Sequence, residues 1–264
     1  MISRIELPAL EKVKEDLYLE LNFSAEMPEL LYPGRKPVGT LKKANSIKNK
    51  MLHGYLLGPA GINDIVSDID VLVNDNAGSE ITARSVGMVF PGGKGTDGLS
   101  QLILNDTDGY DLDGVTVVTT FNNHGSNGLG PISMYAGSDQ RAASMAYGFS
   151  TKLTTEIAFR IRDSANGSYE VVTTLALGSH TIIGMYNRER LYMYLDGIEI
   201  IGPTSTNKII NTGIGEFIFA NDQSSTGRYF SGSIEACFVF EGGFTREFCK
   251  NLHEDTYKKL LIPA

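Results

Sequence analysis

The sequence predicts an all-β chain folded as a two-sheet antiparallel β-sandwich, with an N-terminal arm and one C-terminal helix. Three observations carry this. Glycine accounts for 29 of 264 residues and is scattered with Thr, Ser and Asn, a composition suited to many turns. From residue 115 onward β-branched and aromatic runs follow one another without intervening helical patterns, which points to antiparallel sheets packed face to face. Asp196-Gly197, set between LYMYL and IEII, tolerates the positive φ angles of a type I′ turn and so predicts a two-residue hairpin.

Taken in order, residues 1–16 carry mixed charge around Pro8 and read as an arm. Residues 17–23 (LYLELNF) alternate apolar and polar and form the first expected strand. Residues 24–87 hold Pro28, Pro33 and Pro37 and give weak signals, so long loops and short edge strands are expected there. Strands are then predicted at 115–121, 132–135, 156–161, 169–174, 180–186, 190–195, 198–201, 216–220 and 229–240. The chain closes with REFCKNLHEDTYKKLL, a helix with Thr245 as N-cap and Phe248, Cys249, Leu252 and Leu260 near one face, ended by Pro263. The expected domains are the arm (1–16), the sandwich (17–243) and the helix with its tail (244–264). A sandwich of roughly 200–250 residues is an ordinary single unit and needs no disulfide or metal.

A net charge of −8 argues against nucleic-acid binding, which needs a positive field to release counterions from phosphates. The local exception is residues 35–50, where Arg35, Lys36, Lys42, Lys43, Lys48 and Lys50 stand with no acid among them. This run is either a solvated loop or an arm that docks on an acidic partner surface. No stretch approaches the ~18 apolar residues of a membrane helix, and residues 1–21 lack the layout of a secretory signal. Two cysteines are too few for a disulfide scaffold, which places folding in a cytoplasm.

Residues 105–114 (NDTDGYDLDG) put Asp106, Asp108, Asp111 and Asp113 between glycines. They suit either calcium, which takes six to eight oxygen ligands from such loops, or a solvated acidic turn; the spacing departs from the EF-hand pattern at Tyr110. No other cofactor is expected. No two of His53, His124, His180 and His253 share a metal-ligand spacing, and His124 belongs to a polar loop, NNHGSN. Cys237 and Cys249 read as buried reduced thiols, one on the last strand and one on the helix, and the sequence leaves open whether they touch. There is no G-x-S-x-G elbow, and Gly92-Gly93-Lys94-Gly95 lacks the context of a phosphate loop, so no enzyme activity is expected.

Residues 180–186 (HTIIGMY), 191–197 (LYMYLDG) and 228–239 (RYFSGSIEACFV), with the helix that follows, resemble the laminin-G-like and concanavalin A-like jelly rolls. In that family a strand of the form H-x-φ-φ-x-x-Y precedes one ending Y-φ-D-G. The likeness covers residues 175–263 well and the first half poorly. It implies a jelly roll that binds or assembles. Two departures bear on function. Ser179 stands where the family often has Trp, and the chain has no Trp at all, so a sugar site would have to use Tyr or Phe. Related glucanases carry an E-x-D-x-x-E triplet, whereas the nearest approach here is Asp68-Ile69-Asp70. The role expected first is a non-enzymatic virion component, a bacteriophage capsid-decoration, fibre or tail protein assembled in the host cytoplasm as a homo-oligomer with other virion proteins. The alternative is a lectin-like module that recognises host surface glycans.

Overall fold

A computed structural model describes residues 41–43, 47–58, 61–66, 69–70, 73–75, 82–83, 87–90, 94–95, 98–99, 102–106, 111–125, 131–137, 145–152, 155–204, 207–211, 215–220, 230–256 and 260–263. The expected arm and the 17–23 strand lie outside them. The first strands in chain order are β1 (Leu41–Lys43), β2 (Met51–Gly58), β3 (Gly61–Asp64), β4 (Ile69–Asp70), β5 (Val73–Asp75), β6 (Thr82–Ala83) and β7 (Met88–Phe90). Next come β8 (Lys94–Gly95), β9 (Gly98–Leu99), β10 (Leu102–Asp106), β11 (Asp111–Leu112), β12 (Val115–Asn123), β13 (Pro131–Gly137) and β14 (Met145–Thr151). Then follow β15 (Glu156–Arg162), β16 (Ser168–Thr174), β17 (Gly178–Tyr186), β18 (Arg190–Leu195), β19 (Ile198–Thr204), β20 (Ile210–Asn211), β21 (Gly215–Phe219) and β22 (Gly232–Glu241). A helix, α1 (Arg246–Leu252), and β23 (Leu261–Pro263) close the chain.

Two large sheets stack. One runs β16-β15-β14-β13-β21-β10-β5; the other runs β19-β18-β17-β12-β22-β2-β3-β4, with β7 also paired to β22. The pairings are antiparallel, as expected for a sandwich. Val115, Val117 and Phe121 of β12, Ile182 and Tyr186 of β17, and Leu191 and Met193 of β18 point into the core between the sheets. There they meet Tyr147, Phe149, Ile157, Phe159 and Ile161 of the opposite sheet. One polar bridge crosses this core, a 2.8 Å hydrogen bond between the Thr119 and Ser133 hydroxyls. Each hydroxyl thereby satisfies a partner that burial would otherwise leave without water.

The second sheet is buried on its other face as well. Val118, Ile183, Met185, Tyr194, Phe238 and Phe240 pack there against Ile47, Phe244, Cys249, Leu252 and Leu260. Strict alternation along β22 would misplace this pattern. Phe121 pairs with Ile234 while Thr120 pairs with Ala236, so Glu235 is an extra residue, a β-bulge. Beyond it the faces reset: Ile234, Cys237 and Val239 look inward, and Ala236, Phe238 and Phe240 look toward the helix.

The hairpin forms as predicted, with φ of 51° at Asp196 and 79° at Gly197. Thr245 caps α1 by accepting a hydrogen bond from the Phe248 amide, as the sequence implies. Glu199 of β19 clamps the helix. It accepts two bonds from the Arg246 guanidinium at 2.6 and 2.7 Å, lies 3.1 Å from Lys250 Nζ, and accepts from the Tyr194 hydroxyl at 3.0 Å. The Arg246 contacts, outweighing burial, hold the Glu199 carboxyl down at about 2.

Several expectations change. The helix is interrupted where its pattern suggests continuity: after Leu252 the chain tightens to a 3-10 turn over His253–Asp255, helical backbone returns at Thr256 and Leu260, and Leu261–Pro263 pairs with β1 as a strand. Residues 51–58 form a full-length strand inside the sheet between β22 and β3, where loops and edge strands were expected. Strand 229–240 begins at Gly232. The contact left open between the cysteines is not made: Cys237 lies between the sheets, and Cys249, on α1, packs on the far side of β22. Burial pushes both thiols up to about 12.

Candidate functional site

An open cleft of about 310 Å³ lies where the segment leading into β2 meets the start of α1. Ile47, Lys48 and Asn49 form one wall, and Gly243, Phe244, Thr245 and Phe248 the other. Its size sits at the lower end of small-ligand sites, which span roughly 300–1,000 Å³. The floor comes from the Phe244 and Phe248 rings, with Phe240 near the end of β22 packed behind them. Phe240 and Phe244 lie 4.8 Å apart, and Phe248 meets Phe244 edge to face at 5.1 Å. Phe240 and Phe244 are buried in the outer core, and Phe248 is half-exposed at the cleft.

Hydrogen bonds between residues far apart in sequence fix both walls. Asn49 Nδ2 donates to the carbonyl of Glu241 at 2.9 Å and of Gly243 at 3.3 Å. The Glu241 amide donates to the Lys50 carbonyl at 2.8 Å. Thr116 Oγ1 donates to the Gly242 carbonyl and accepts from the Phe244 amide, tying the second wall to the central strand β12. The cleft is therefore preorganised by the sheet rather than by a free loop. Lys48 is exposed on its rim.

The residues singled out from sequence are distributed elsewhere. Asp106 ends β10 opposite Gly215, Asp111 pairs in register with Asn211, and Asp113 makes an ion pair with Arg188 at 3.3 Å. Asp108 lies outside the described residues. Among the described residues no three His, Cys, Asp or Glu side chains gather to hold a metal. His180 is a brace: Nδ1 lies 2.7 Å from Asp196 Oδ2, Nε2 lies 3.1 Å from the Ala176 carbonyl, and the ring leans on Phe121. It thus fastens the hairpin turn to its strand. His124 is exposed, with its amide bound to the Ser231 carbonyl.

His53, a residue given no role from sequence, stacks on Tyr55 and faces Asp64 at 3.9 Å. Burial would raise the Asp64 carboxyl, but His53 and the Val66 and Gly54 amides outweigh it and hold it below the ordinary value. Asp163 behaves alike. Its burial is outweighed by the Gly167 amide, the Lys208 ammonium and the Tyr169 hydroxyl, and it anchors the turn before β16. Each of these clusters has its polar atoms engaged within the fold. No helix among the described residues is long and apolar enough to cross a membrane.

No protein-family model matches the sequence, and no curated protein does. Solved structures do match. The chain is similar to the binding domain of botulinum neurotoxin serotype G, with a TM-score of 0.58 at 12% identity over 78% of this chain and 51% of that one. It is also similar to the serotype D ligand-binding domain determined in complex with N-acetylneuraminic acid, with a TM-score of 0.58 at 10% identity over 79% of this chain and 52% of that one. The binding domain of Paraclostridial mosquitocidal protein 1 gives a TM-score of 0.57 at 10% identity, over 79% and 52%. The chain thus spans about half the length of these neighbours. At such identity the likeness is one of fold: a β-sandwich of a kind found within toxin binding domains.

Proposed function

We propose that this chain is a non-catalytic recognition module that binds surface glycans in a lectin-like manner, with the Phe248 cleft as its sugar-contacting site. The cleft carries the reading, because it presents an aromatic side chain half-exposed on a floor held by the sheet, with Thr245 and Lys48 on its edges. In a chain without Trp, a Tyr or Phe ring must offer the surface for the C–H face of a sugar, and in this cleft that ring is Phe248. The fold likeness to domains named for binding supports recognition over catalysis, and it lends no support to the virion-assembly role expected first.

The test is a glycan array probed with the purified chain, followed by Phe248→Ala. Sugar binding at millimolar affinity or tighter, weakened at least tenfold by the substitution, is the expected result; a blank array at high protein concentration would sink the proposal. Because Phe248 also packs on the outer core, a thermal melt of the variant accompanies the array.

A further inference from the structure

The basic run picked out from the sequence ends at this cleft. Lys48 lines it, and exposed Lys50 follows two residues on. Lys42 and Lys43 sit in β1, in register with Ile262 and Leu261 of β23 just past the helical segment. Several other described cations are committed to acids. Arg246 and Lys250 are held by Glu199, Lys208 by Asp163, and Arg188 by Asp113. Neither Lys48 nor Lys50 has an acidic partner among the described residues. The exposed acids Glu241 and Glu247 are not part of the lining. A protein of net charge −8 therefore places an exposed lysine, without an acidic partner among the described residues, on the rim of an apolar cleft, where its positive charge favours an anion.

We infer that the cleft selects negatively charged saccharides, with the acid group held by Lys48 and the ring resting on Phe248. This rests on the glycan-binding reading and specifies its ligand class. Lys48 is a point charge with three donors, so it accepts a carboxylate or a sulfate, and the experiment separates these two sources.

The array carries neutral, carboxylate-bearing and sulfated members, followed by calorimetric titration with sialyllactose against lactose and with a sulfated disaccharide against its desulfated form. At least one charged member of the two pairs should bind about tenfold or more tightly than its neutral match, a factor that one charge-assisted contact supplies. Lys48→Ala should remove that preference, Lys48→Arg should keep it, and added salt should reduce it. Lys48 is exposed, so the variants fold as the parent does. Equal binding of charged and neutral sugars, or a preference that survives Lys48→Ala, overturns the inference while leaving glycan recognition standing. Absence of binding to every member overturns both.

Discussion

Gly184→Ala tests whether the two sheets meet as closely as the core requires. Gly184 sits in β17 with its missing side chain directed at the Phe159 ring of the opposite sheet. A methyl group there would lie within 3.0 Å of three ring atoms, Cγ, Cδ2 and Cε2, where carbon atoms normally rest about 3.5–4.0 Å apart. The ring has no room to yield, since Phe159 is fully buried and packed on Phe149 with centroids 5.3 Å apart. Relief demands that the sheets part or that Phe159 leave its rotamer. Overpacking of this kind costs about 1–3 kcal/mol, and the severity of the overlap places this substitution at the upper end. Urea unfolding followed by tyrosine fluorescence reads the loss as a lower midpoint at unchanged slope. Phe159→Leu vacates part of the ring's space, so the double variant should lose less than the sum of the two single changes. If Gly184→Ala unfolds within about 0.5 kcal/mol of the parent, the close contact between sheets is wrong.

Glu199→Ala should destabilise the chain by about 1–2 kcal/mol, a modest figure because Arg246 and Lys250 are half in water, with circular dichroism melts reading the change. The Glu199 carboxyl is held at about 2, below its ordinary value of 4.5; its contribution is therefore complete above pH 4.5 and fades as the pH falls through about 2. The same melts at pH 7 and pH 2.5 should show the gap between parent and variant narrowing in acid. Thr245→Ala removes the bond to the Phe248 amide and should cost about 0.5–2 kcal/mol, and Thr245→Ser should restore most of it.

The second half of the fold was legible because its signals are local. Asp196-Gly197 declares its hairpin within two residues, Thr245 declares its helix, and the strands from β15 to β18 come close to their predicted bounds. The sequence misled where burial on both faces erases alternation. All seven residues of β14 are buried, and Gly148 with φ of 143° interrupts their apolar run. β2 carries Gly54 mid-strand, where a side chain would strike Ile65, and such a glycine reads as a turn. The cleft was out of reach of any local pattern, since Asn49 meets the Glu241 carbonyl across 192 positions of sequence. Only the spacing of Phe240, Phe244 and Phe248 hinted at a stack of rings.

The two cysteines stand on opposite faces of one sheet with its backbone between them. A disulfide would need their Cα atoms within about 7 Å on a shared side. The fold therefore has no internal cross-link to gain in an oxidising medium and none to surrender in a reducing one. Its thiols are bystanders to redox conditions, and the cysteine count carries no information about the compartment in which the protein works.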